Sequence, residues 1–120
     1  MPKKILVVED NEDSRSILVT ILRRFGYETA EAGSGIESIE KALSEKPDLV
    51  IMDLDLPGVS GIDAARVLQE DPNTAHIPII AYTAWPPQIW KKKALSVGIV
   101  EYLQKPVAWE VIKATLEKYP

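Results

Sequence analysis

The chain alternates between two spacings of apolar residues, and that alternation restricts its fold more than any other feature. Short runs that are apolar at nearly every position occur at Ile5-Leu6-Val7-Val8, Leu49-Val50-Ile51-Met52 and Ile77-Pro78-Ile79-Ile80-Ala81-Tyr82. They are rich in β-branched residues and too short for helices, so they read as strands. A strand without polar alternation is covered on both faces, as in a parallel sheet. Tyr27–Ala32, which alternates as an edge strand does, and the weaker Val100–Leu103 bring the set to five. Pro78 is acceptable at a strand start, where no ladder bond is lost.

Stretches of helical period lie between these runs. Ile17, Leu18, Ile21, Leu22 and Phe25 form a stripe on a helix that begins near Glu12 and is ended by Gly26. Ile36, Ile39, Ala42 and Leu43 form a second stripe, ended before Pro47. Ile62, Ala65 and Leu68 suggest a third helix, entered through Ser60 as N-cap. A fourth spans about Gln88–Val97 and stops at Gly98, and a fifth carries Ile112, Thr115 and Leu116. Strands alternating with helices predict an α/β fold with right-handed crossovers and helices on both faces of the sheet.

Length and composition bound this reading. The sequence of 120 residues suits one compact domain spanning 1–120, with no room for a second catalytic or DNA-binding domain. It contains no cysteine, which excludes disulfides, Cys-ligated zinc and a thiol nucleophile, and fits a reducing cytoplasm. Fourteen Lys and Arg against eighteen Asp and Glu give a net charge of −4, which argues against a generally basic nucleic-acid surface. The apolar run after Met1-Pro2-Lys3-Lys4 is too short for a signal peptide, and nothing approaches the roughly 20 apolar residues of a membrane span. A cytoplasmic protein without membrane insertion is expected.

The strand ends carry the chemistry. Glu9-Asp10 ends the first run, Asp53 the third and Thr83 the fourth, and Lys105 follows the fifth. Ligands of open α/β sheets bind outside the carboxyl ends of the strands. Four distant segments thus deliver three carboxylates, a hydroxyl and an ammonium to one edge. Clustered carboxylates need a compensating cation unless one stays protonated. Mg²⁺, a hard ion that bridges carboxylates to phosphates, suits such a set. Lys105 and Thr83 are placed to donate to phosphoryl oxygens, and a carboxylate can itself accept a phosphoryl group. Asp53, at the end of the strand that reads as most buried, is the candidate nucleophile.

Four segments, Val8-Glu9-Asp10-Asn11, Met52-Asp53-Leu54-Asp55-Leu56-Pro57-Gly58, Ala81-Tyr82-Thr83-Ala84 and Tyr102-Leu103-Gln104-Lys105-Pro106, together resemble the receiver domain of two-component response regulators. The resemblance covers essentially the whole chain. It implies a doubly wound (βα)5 domain with a parallel sheet of order 2-1-3-4-5, and the length leaves no room for an effector domain beside it. It makes Asp53 the phosphorylated residue, and Glu9, Asp10, Asp53 and the backbone carbonyl of Asp55 the Mg²⁺ ligands. Lys105 becomes the phosphate-pairing lysine, with a cis bond to Pro106, and Thr83 and Tyr102 the switch pair. The implied phosphodonor is a histidine kinase or histidine phosphotransfer protein, with Ser14 and Arg15 bordering its docking site. The implied output surface lies on the fourth helix, fifth strand and fifth helix. Trp90, Lys91, Leu95, Ile99, Tyr102 and Trp109 are its candidates, for a downstream protein or for homodimerisation. Such a protein is a signalling switch rather than an enzyme with turnover.

Blander readings stand beside these. Glu9 and Asp10 could cap the first helix, Asp53 could open the Pro57-Gly58 turn, Tyr102 could be packing, and Lys91-Lys92-Lys93 a solvated helix face. The Asp55 side chain is either solvated or a modulator of water access. Glu9 stands where aspartate is commoner in the family, which leaves room for a water between it and the metal. Trp85-Pro86-Pro87 departs from the small or polar residues usual after the threonine; it predicts a stiff loop and a ring that shields an acyl phosphate from water. Two alternatives to a phosphorylated receiver remain: a pseudo-receiver that binds but is never phosphorylated, and a haloacid-dehalogenase-type phosphatase using Asp53-Leu54-Asp55.

Overall fold

The computed structural model describes residues 3–120; Met1 and Pro2, the start of the segment too short for a signal peptide, lie outside the described residues. The elements alternate as β1 (Lys4–Val8), α1 (Glu12–Arg24), β2 (Glu28–Ala32), α2 (Gly35–Glu45), β3 (Leu49–Met52), α3 (Gly61–Glu70), β4 (Ile79–Thr83), α4 (Pro87–Ser96), β5 (Glu101–Gln104) and α5 (Trp109–Leu116). All strands pair in parallel, in the order β2-β1-β3-β4-β5. The α/β doubly wound sheet of order 2-1-3-4-5 is therefore the fold. Among the described residues no helix is long and apolar enough to cross a membrane.

The fully apolar strands are sandwiched for the reason their sequences indicate. Ile5, Val7, Leu49, Ile51 and Ile80 pack against Leu18, Val19 and Leu22 of α1 and Ile112 and Leu116 of α5. The alternate residues Leu6, Val8, Val50, Met52, Ile79 and Ala81 face α2, α3 and α4. Each such large side chain taken from water contributes about 1.5–3 kcal/mol before entropy is counted. β2 and β5 are the edges, and β2 buries only Ala30 and Ala32. Pro78 precedes β4, and its carbonyl accepts the Val50 N–H at 2.9 Å.

Two predicted helical stripes keep their inner members, Leu18, Leu22 and Ala42, and lose outer ones. Ile17, Ile36 and Leu43 are 55%, 60% and 42% exposed. α1 buries Leu18, Val19 and Leu22, and α2 buries Gly35, Ser38 and Ala42. The reason in α2 is close approach: a Cβ on Gly35 would overlap the Val59 carbonyl and stand 3.0 Å from its Cβ. Small residues therefore face inward, and Ser38 satisfies its buried hydroxyl by donating to Gly35 O at 2.6 Å.

Candidate functional site

Strand register builds the site. β1 and β3 are neighbours with Val8 opposite Met52, so Glu9 and Asp53 emerge side by side where the order of connection reverses. Asp53 N–H donates to Val8 O at 2.9 Å, and Glu9 N–H to Ala32 O at 3.0 Å. Glu9, Asp10 and Asp53 each bring one carboxylate oxygen within 4.8 Å of the others. Glu9 and Asp53 are buried, whereas Asp10 is exposed. The helix cap beside them is Asn11, whose side chain accepts the Ser14 N–H at 2.8 Å. The capping reading of Glu9 and Asp10 thus yields to Asn11.

Lys105 arrives from the far edge of the sheet. Its N–H donates to Thr83 O at 2.8 Å, and the bond to Pro106 is cis. Its ammonium bonds Glu9 Oε2 at 2.6 Å and Asp53 Oδ2 at 3.2 Å, while standing 5.0 Å from the centroid of the Tyr82 ring. Tyr82 was not singled out by sequence reasoning; its signal was adjacency to Thr83, since alternate strand residues face opposite sides. Burial pushes the Glu9 carboxyl up, Lys105 pulls it back, and Asp53 pushes it up again, leaving it raised. Burial alone would lower Lys105, but its bond to Glu9 and the charge of Asp53 outweigh this and hold it above its ordinary value.

The remaining predicted residues divide clearly. Asp55 is exposed, and its N–H donates to Asp53 Oδ1 at 3.0 Å, orienting that carboxylate. Thr83 is fully buried; its hydroxyl accepts the Trp85 N–H at 3.2 Å. Tyr102 is half-buried, and its hydroxyl donates to Trp85 O at 2.7 Å. Trp85 and Trp90 stack with centroids 4.5 Å apart, both packed on the core. Lys91, Leu95 and Trp109 are exposed. Ile99 is 2% exposed and packs in the core, so it is withdrawn as a surface residue; Gly98 ahead of it, at φ +99°, turns it inward. Ser14 lines an open groove of about 300 Å³ with Ile17, Leu18, Tyr82, Lys105 and Trp109. Arg15 is half-buried and bonds within the chain, donating to Glu9 O and Glu31.

Comparison with known proteins agrees with this arrangement. Residues 5–117 match the family model described as the response regulator receiver domain. The chain belongs to that family. As a receiver domain it is a phosphoacceptor module of two-component signalling. It is 34% identical over 119 residues to the polar-differentiation response regulator DivK of Brucella anthropi, covering 99% of this chain and 97% of that one. The structure superposes with a TM-score of 0.93 on the chemotaxis protein CheY4 of Vibrio cholerae, at 26% identity and full coverage of both chains. It superposes at 0.91 on the receiver domain of a Pseudomonas aeruginosa sensor histidine kinase, at 30% identity with 99% and 98% covered. That structure has a magnesium ion coordinated in its active-site cleft.

Proposed function

We propose that Asp53 of this receiver domain takes a phosphoryl group from the phosphohistidine of a histidine kinase or phosphotransfer protein, and that the modification switches a protein-binding surface. The observation that carries this reading is the convergence of Glu9, Asp10, Asp53 and Lys105 from three separate segments on one sheet edge. Burying two carboxylates with one shared ammonium gains little stability, because desolvation offsets the attraction, which favours a functional reading.

The donor set fits Mg²⁺: three carboxylates, all hard oxygen ligands, with Asp10 open to solvent and the Asp55 carbonyl two residues beyond Asp53. When bound, the ion neutralises charge among the carboxylates and the phosphoryl oxygens. The chain's own groups do the rest. An Asp53 carboxylate oxygen, oriented by the Asp55 N–H, forms the bond to phosphorus. The phosphorus–nitrogen bond of the donor breaks, and its electron pair returns to the imidazole. Lys105 pairs one phosphoryl oxygen and Thr83 another, which requires the buried Thr83 hydroxyl to reorient from its place beside Trp85 N–H. Because only the phosphorylated arrangement rewards that movement, the modification shifts a two-state equilibrium. Tyr102, bonded to the same residue Trp85, follows it. The surface of α4, β5 and α5, with Lys91, Leu95 and Trp109 exposed and Trp90 and Tyr102 half-buried, then meets a downstream protein or a second copy. This reading includes a cytoplasmic location and no turnover of free substrate.

Incubating the protein with Mg²⁺ and acetyl phosphate, beside Asp53→Asn, tests it. One stable acyl phosphate, lost in the variant, is the expected result. No adduct in the wild type would make the chain a pseudo-receiver, and multiple turnover of phosphate esters would make it a phosphatase.

A further inference from the structure

Arg15 occupies the face of α1 where the sequence expects a docking contact, yet its side chain is only 19% exposed. Its Nη1 donates to the Glu9 backbone carbonyl at 2.8 Å, and its Nε pairs with Glu31 at 3.1 Å. Glu31 lies on β2 opposite Val7 of β1. The guanidinium lies beside Gly33, where a Cβ would stand in ordinary contact with Nη1 at 3.4 Å. One side chain thus ties α1 to the end of β1 and to β2.

The bonded carbonyl belongs to the peptide that joins Glu9 to Asp10, two of the three clustered carboxylates. Rotation of that peptide would re-aim both side chains. The planar guanidinium donates in two fixed directions at once, which an ammonium on a flexible stem does not reproduce. We infer that Arg15 is a positioning residue for phosphoryl transfer: by bonding the Glu9–Asp10 peptide and Glu31 together, it fixes the aim of the Glu9 and Asp10 carboxylates. The inference rests on the reading of those carboxylates as the cation site.

The test compares the full chain with Arg15→Lys, Glu31→Gln and the neighbouring Ser16→Ala, using calorimetric titration with Mg²⁺ and acyl-phosphate formation from acetyl phosphate. Arg15→Lys keeps the charge and loses the fork. It is expected to weaken Mg²⁺ binding about tenfold, as loss of a group that orients a metal ligand does, and to slow the reaction with acetyl phosphate similarly. Glu31→Gln shows a smaller loss in the same direction, and Ser16→Ala matches the wild type. If Arg15→Lys binds Mg²⁺ and reacts with acetyl phosphate like the wild type, failing only with a phosphorylated protein donor, Arg15 is a docking residue and the inference is overturned. A lowered unfolding midpoint with unchanged Mg²⁺ affinity also overturns it, as a merely structural role. A wild type that neither binds Mg²⁺ nor accepts phosphoryl removes the site reading, and the inference with it.

Discussion

The Lys105 ammonium bonds Glu9 at 2.6 Å, a shorter contact than the 3.2 Å it makes to Asp53. At rest, therefore, the cation leans on the neighbour of the proposed phosphoryl acceptor rather than on the acceptor itself. The extra methylene of glutamate, relative to the commoner aspartate, gives the reach for this contact.

This pairing sets a pH dependence. The folded-state value of Glu9 lies above its ordinary 4.5, raised by burial and lowered in part by Lys105. A raised carboxyl favours the fold in its protonated form, so that contribution is present below 4.5 and lost as pH rises through the folded value. Lys105→Met removes the lowering influence and moves the Glu9 titration further up. Its destabilisation relative to wild type should grow from acid to neutral pH, reaching about 2 kcal/mol, the scale for orphaning a buried charged group. Urea denaturation across that range, with carbon NMR of the Glu9 carboxyl, measures both. A destabilisation equal at acid and neutral pH contradicts the pairing. On the alkaline side Lys105, raised above 10.5, keeps its contribution below that value and loses it as pH climbs through the folded one.

A second prediction concerns Gly61, the first residue of α3. A Cβ there would overlap the Asp53 carbonyl and stand 2.7 Å from Leu54 Cα, and the Gly61 N–H donates to Leu54 O at 3.0 Å. The start of α3 thus presses on the backbone that carries Asp53. Gly61→Ala should cost about 1–3 kcal/mol, the range for overpacking, and slow acyl-phosphate formation by displacing Asp53. Denaturation and labelling with acetyl phosphate check the two effects. Wild-type stability in this variant would show that the contact yields freely.

Much of the fold and site was legible in the sequence because it rests on strand ends and chemistry. The apolar runs Ile5–Val8 of β1 and Leu49–Met52 of β3 signalled a two-sided sheet, and the acids directly after them had nowhere to go but its carboxyl edge. Legibility failed where close packing decides. Ile36 and Leu43 read as core beside Ala42, yet they are exposed, while Gly35 and Ser38 join Ala42 in facing inward and Gly35 lies too near Val59 for any side chain. Ile99 read as surface on family position, whereas the turn at Gly98 buries it. The bond from Arg15 to Glu9 was not legible either, because its acceptor is a backbone carbonyl, a group no residue type announces.

The last prediction concerns the coupling of the Thr83 hydroxyl to the tryptophans. Trp85 is held at three points: its N–H by Thr83, its carbonyl by the Tyr102 hydroxyl and its ring by Trp90. Directly after it Pro86 stands as N-cap and Pro87 begins α4, without a side-chain cap. The stack should show a coupling of about 0.5–1.5 kcal/mol in a Trp85→Ala, Trp90→Ala double-mutant cycle. Tyr102→Phe should cost about 1 kcal/mol for its hydrogen bond. When Thr83 turns toward a phosphoryl oxygen it gives up the Trp85 N–H, so phosphorylation should change tryptophan emission. Thr83→Ala should still form the acyl phosphate at Asp53 while losing that emission change. Trp85→Ala should shed the phosphoryl group faster than the wild type, if the ring shields it from water. An undiminished emission change in Thr83→Ala would place the coupling elsewhere than in this hydroxyl.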